Sequence, residues 1–304
     1  MPDALPVISH SKNRHSLTLF RQSGGSASGR ATERAGRTTL PRMFQRRRVE
    51  RVDFIVAGVQ KAGTTAIHDF LAQHPHIALL RDQALHFFDK KEHFSSSRTG
   101  PFEPDYRILH GNFDPGWRWR VAGEVTADYL YYPGALERIA HYNPKMKLII
   151  SLRNPVGRAF SQWNMRRAKD QEPLEFIDAL KRDQEIGIWK GPRGNAYLSR
   201  SFYSPQLEQV FKLFPREQVF ILKYEDLRVD PFPVLERIFD FIGVRKVSRL
   251  KNKERNVGSY SRKITASERE FAAAIFEEDI TKVETLLGWD CSDWRFKVGV
   301  STVA

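Results

Sequence analysis

The sequence predicts an α/β fold, a central parallel sheet with helices on both faces. Two observations carry that expectation. Short apolar, β-rich runs alternate with longer stretches of helical periodicity, the pattern of strand–helix–strand units. The two stretches richest in polar and cationic chemistry each follow a predicted strand, and an open α/β sheet gathers ligands at the carboxyl ends of its strands.

The elements follow in order from Val52. "DFIVAGV" (53–59) reads as a buried strand, and Thr64 to Gln73 places Ala66, Ile67, Phe70 and Leu71 on one helical face. "HIALL" (76–80) and "RVAGEV" (120–125) are further strands, and a helix runs from Pro133 through Tyr142. "KMKLIISL" (145–152) is the clearest strand; the helix after it carries Pro155 in its first turn, where a missing N–H costs nothing. Helices are expected near 173–184 and 202–214, then a strand "QVFILKY" (218–224), then helices at 231–242 and 265–287. No internal repeat is visible.

With 304 residues, the chain can bury one substantial core, and 41% apolar with 12% aromatic content marks a globular protein. Its one cysteine, Cys291, excludes an internal disulfide framework. No run reaches the roughly 18 apolar residues of a membrane span, and the first residues lack the apolar centre of a secretory signal, so cytoplasmic residence is the expectation. The net charge of +13 is uneven: residues 1–52 hold 11 Lys and Arg against 3 Asp and Glu. Residues 1–51, rich in Gly, Ser and Arg, read as a disordered basic segment ahead of a folded domain at 52–304. That segment is a candidate for contact with acidic surfaces.

"GVQKAGTT" (58–65) sits between strand and helix. Gly58 and Gly63 permit close backbone approach, and the N–H groups of Ala62, Gly63, Thr64 and Thr65 lie at a helix start, where unpaired donors and the helix dipole favour an anion. The glycine spacing is that of the ATP-binding G-x-x-x-x-G-K-[ST] loop, but Thr64 follows the second glycine and the lysine, Lys61, lies inside the turn. With no apolar run ending in an acidic residue beside it, the loop is poorly equipped for metal-dependent ATP hydrolysis. In "SLRNPVGRAFSQW" (151–163), Arg153 leaves the strand end and Ser161 lies two turns into the helix, a pair able to hold a second phosphate.

Together these stretches resemble the PAPS-dependent sulfotransferases, in the branch of the heparan sulfate N- and O-sulfotransferase domains and their bacterial relatives. "HPHI", "HFFD" (86–89), "GEVTADYLY" (123–131), "YSPQLEQVFKLFP", "LKYEDL" (223–228) and "LLGWDCSDW" (286–294) match further landmarks in the family's order. The resemblance covers roughly 52–295 and implies a P-loop-like fold with 3′-phosphoadenosine 5′-phosphosulfate (PAPS) as cofactor, PAP as product and no metal. It assigns Lys61 to the leaving-group oxygen and the 5′-phosphate, the backbone of Ala62–Thr65 to the same phosphate, and Arg153 and Ser161 to the 3′-phosphate. Gly258 and Ser259, in "RNVGSYSRK" (255–263), match a closing loop over the nucleotide, and Tyr203 matches a tyrosine near it. Glu124 corresponds to a glutamate lining the acceptor region. The acceptor implied is a hydroxyl or amine on a saccharide or small alcohol.

One departure bears on catalysis. Relatives carry a glutamate base two residues before the position of His86, commonly in "KE-x-x-FF"; here the text is "RDQALHFFD" and that position is Ala84. General-base catalysis contributes about 10²–10⁴-fold. Three readings stay open: His86 serves as base, the chain binds PAPS or PAP without turnover, or the glutamate was replaced by design. "GWRWR" (116–120) is a candidate for holding an anionic glycan, or ordinary amphipathic strand surface. A nucleic-acid binder would rest on the basic segment alone, since no such module is recognisable.

Overall fold

A computed structural model describes residues 48–81, 84–94, 104–187, 193–247, 250–251 and 262–296. Residues 1–47 of the basic segment and the stretch containing Gly258 and Ser259 lie outside the described residues. In chain order the elements are β1 (Phe54–Gly58), α1 (Thr64–Leu71), β2 (Ile77–Leu79), α2 (Arg107–His110), β3 (Val121–Val125), α3 (Ala135–Tyr142) and β4 (Lys147–Leu152). They continue with α4 (Pro155–Arg167), α5 (Phe176–Ile186), α6 (Ser204–Leu213), β5 (Val219–Lys223), α7 (Tyr224–Val229), α8 (Pro231–Ile242) and α9 (Ala266–Leu287).

The five strands form one parallel sheet in the order β2-β3-β1-β4-β5. Every residue of β1 is buried, as a strand covered on both faces requires. Its side chains alternate between two cores. Ile55 and Ala57 join Leu148 and Ile150 with α3, α6 and α9; Phe54 and Val56 join Ile149 and Leu222 with α1 and α8. The expected α/β sandwich is therefore present, with β1 at the point where chain order departs in both directions. That is where such sheets open a crevice beyond their strand ends.

Local chemistry sets the boundaries near that crevice. Asn154 caps α4, its side-chain oxygen accepting from the N–H of Val156 and Gly157, with Pro155 following as predicted. The helix expected from Pro133 starts at Ala135, after Gly134 turns the chain with φ +82°. The last strand stops at Lys223, because Tyr224 begins the short α7. Loop 116–120 enters β3 from its amino end, where Arg120 N donates to the His76 carbonyl ahead of β2. "GWRWR" thus sits at the edge opposite the crevice: Trp117 is 83% exposed under Arg118, and Trp119 packs on the core. Among the described residues no helix is long and apolar enough to cross a membrane.

Candidate active site

At the carboxyl ends of the strands lies a cavity of about 730 Å³. Its first wall is the loop leaving β1. Gly63 adopts φ +78°, where a Cβ would stand 2.9 Å from the Tyr224 ring, so the turn needs glycine. Lys61 is also left-handed, at φ +75°. A non-glycine residue in that region marks a backbone whose surroundings over-determine it. Gly63 caps α1 without a side-chain partner, and the first turn of α1 holds no acidic residue. The orphan N–H groups of that turn therefore face the cavity beside the Thr64 and Thr65 side chains, a donor set suited to an anion.

The second wall comes from β4 and α4. Arg153 donates through Nη1 to the Lys61 carbonyl at 2.9 Å and lies over the Tyr224 ring at 4.8 Å, which fixes its guanidinium at the mouth of the loop. Ser161, Asn164, Met165 and Ala168 follow at helical spacing along the same wall, and the Lys61 ammonium reaches Met165 Sδ at 3.7 Å. Behind the wall, Arg158 is wholly buried and held by neutral groups: Ser201 Oγ, Gln162 Oε1 and the Tyr197 carbonyl. Burial lowers its pKa to about 10.

The third wall carries the titratable groups. Ala84 and His86 both have positive φ, +60° and +56°. Ala84 N donates to the Val125 carbonyl, and the N–H groups of Phe87 and Phe88 donate to the Tyr129 hydroxyl, pinning the segment to the end of β3. That hydroxyl in turn donates to Glu124 Oε1 at 2.5 Å, beside Thr126 Oγ1 at 2.9 Å. Burial pushes the Glu124 carboxyl up to about 7, against the pull of these two hydrogen bonds. Nδ1 of His86 lies 2.7 Å from Asp89 Oδ2 and Nε2 lies 3.9 Å from Asp128 Oδ2. The hydrogen bond to Asp89 raises the His86 pKa, with burial opposing and the charges of both carboxylates reinforcing the rise.

A family model described as a sulfotransferase domain matches residues 132–278. The crystal structure of a sulfotransferase from Alicyclobacillus acidocaldarius superposes with a TM-score of 0.70 at 28% identity, over 82% of this chain and all of that one. The chain is similar to the sulfotransferases. Mouse heparan sulfate glucosamine 3-O-sulfotransferase 3A1 is 27% identical over 74% of this chain and 54% of its own length. Human bifunctional heparan sulfate N-deacetylase/N-sulfotransferase 3 is 29% identical over 63% of this chain and 22% of its own. The chain thus spans about half or less of the length of these curated relatives.

Of the residues singled out in the sequence, Lys61, Gly63, Thr64, Thr65, Ala84, His86, Arg153 and Ser161 line the one cavity. Three do not. Ala62 is buried behind the loop, its N–H donating to the Val59 carbonyl and its own carbonyl accepting from Ser151. Glu124 is fully buried under His86, and Tyr203 braces Arg153 from below, its hydroxyl donating to the Arg153 carbonyl at 2.7 Å. The cavity also includes residues the sequence reading missed: Asp128, Asn164, Met165, Lys169 and Tyr224. Asn164 and Met165 were recoverable, being three and four residues beyond Ser161 on a helix. Asp128 was not, because it stands on a turn with no periodicity.

Proposed function

We propose that this protein transfers a sulfuryl group from PAPS to a hydroxyl or amine of a saccharide or small-molecule acceptor. The observation that carries the reading is the single cavity holding Lys61, the open first turn of α1, Arg153, Ser161 and His86. The nucleotide's two phosphate positions find two separate donor sets there, which an ATP site does not need. The saccharide acceptor is supported by the heparan sulfate enzymes among the relatives.

PAPS, when bound, supplies the sulfuryl group and a phosphate leaving group. The N–H groups at the start of α1 and the hydroxyls of Thr64 and Thr65 hold the 5′-phosphate. Lys61 neutralises the charge that grows on the oxygen between phosphorus and sulfur; such electrostatic stabilisation is usually the largest catalytic contribution. Arg153 and Ser161 take the 3′-phosphate, Arg153 with a planar fork suited to it. His86 removes the acceptor proton at Nε2, while Asp89 holds Nδ1–H and with it the tautomer that leaves Nε2 basic. In this proposal the pair takes over the part of the glutamate that the resemblance sets at the position of Ala84.

Ala84 favours a second reading, a protein that binds PAPS or PAP without turnover. PAP release and labelled-sulfur transfer to a panel of glycans and alcohols separates the two, with the native chain run beside Ala84→Glu and His86→Ala. Transfer by the native chain and its loss in His86→Ala supports the first reading. Transfer by Ala84→Glu alone shows that His86 does not replace the glutamate, and absence of PAP binding overturns both.

A further inference from the structure

This inference rests on the sulfotransferase reading and concerns the acceptor. Among its described residues, the cavity wall carries one carboxylate, Asp128. Arg200, itself buried, pairs with Asp128 Oδ1 and stacks over the Tyr131 ring at 4.2 Å. The carboxylate is thereby held in place with Oδ2 turned to His86 Nε2, 3.9 Å away. That gap is too long for a hydrogen bond, yet it admits one atom at a hydrogen-bonding distance of about 2.8 Å from each side. With Nδ1–H engaged by Asp89, both sides of the gap are hydrogen-bond acceptors.

We propose that Asp128, clamped by Arg200, contacts the reacting group of the acceptor and selects an amine over a hydroxyl. An amine offers one N–H to His86 and one to Asp128, and its lone pair stays free to attack sulfur. A hydroxyl has one proton, so one of the two acceptors faces its lone pairs. A protonated His86 would instead occupy a lone pair on the attacking oxygen. As the nitrogen–sulfur bond forms, the sulfur–oxygen bond to the 5′-phosphate breaks and its electron pair leaves on PAP. The nitrogen passes one proton to His86, which releases it to solvent, and keeps the other against Asp128. An acceptor arriving as an ammonium first gives one further proton to water. The positive charge developing on nitrogen lies against the carboxylate, so Asp128 binds the transition state better than the ground state. Heavily sulfated glycans, by contrast, meet a like charge.

The test follows the His86 imidazole by NMR in PAP-saturated protein. The probes are a β-1,4-glucosamine tetramer with free amines and its fully N-acetylated counterpart. The expected result is a saturable His86 shift with the free-amine tetramer alone, weakened at least tenfold in Asp128→Asn with PAP affinity unchanged. Since Asp128→Asn leaves Arg200 buried without its counter-charge, Asp128→Asn/Arg200→Gln serves as the second variant and should behave alike. Labelled sulfur should appear on nitrogen. Equal response to both tetramers, no response to either, or unchanged amine binding in both variants overturns the inference. A native chain that fails to bind PAP overturns the sulfotransferase reading instead.

Discussion

Replacing Asp89 with Asn perturbs the proposed base at one charge. The Asn oxygen can still accept from Nδ1–H, so the ring keeps its partner while the negative charge is lost. A hydrogen bond to a charged group is worth about 1.5–3 kcal/mol net. The His86 side chain is 34% exposed, so solvent screening brings the pair to the low end of that range. Asp128 continues to favour the imidazolium, while burial and Lys90 oppose it. The expected result is a fall in the His86 titration midpoint, read by imidazole NMR between about pH 5 and pH 9. The acid limb of kcat/KM should move down with it, since the neutral ring is the base. Because the folded His86 pKa lies above its unfolded value of 6.5, its stabilising contribution is complete below that value and is lost as pH rises through the folded midpoint. That pH dependence should shrink in Asp89→Asn. An unchanged midpoint would refute the assignment of Asp89 as the group that sets His86.

Three further outcomes follow from the same framework. Glu124, raised from 4.5 to about 7, favours the fold while protonated, and its contribution is lost as pH climbs from the unfolded value through the folded one. At most about 3 kcal/mol of such pH dependence should vanish in Glu124→Gln, measured by denaturant unfolding across that range. Gly63→Ala puts a Cβ at 2.9 Å from the Tyr224 ring in a left-handed turn, so it should cost about 1–2 kcal/mol of stability and weaken PAP binding in the same titration. Thr265→Ala removes the capping box of α9 and should lower stability by about 1 kcal/mol, or Tm by about 2–4 °C, without affecting PAP affinity.

What the sequence made legible was local. The strand–turn–helix at 54–71 announces its own candidate site, because two glycines, a lysine and a helix start fall within ten residues. The strand–helix unit around Arg153 and Ser161 does the same. The misplacements came from features that depend on which way a short element faces. Glu124 reads as a cleft residue because it nears the end of β3, yet its side chain turns under the sheet edge to Thr126 and Tyr129. "GWRWR" reads equally as a binding stretch or as amphipathic strand surface, and it enters β3 at the opposite edge. The Arg200–Asp128 pair joins residues 72 apart in the chain through tertiary packing. Neither a period nor a motif connects them.

The central claim, a site built for a nucleotide with a 3′-phosphate, is tested most directly by calorimetric titration with PAP and with AMP. The account predicts that PAP binds more tightly than AMP and that Arg153→Met abolishes most of the difference, since the proposal gives the 3′-phosphate to Arg153 and Ser161 and AMP lacks that group. Equal affinity for PAP and AMP, or a preference for PAP that survives Arg153→Met intact, would contradict it.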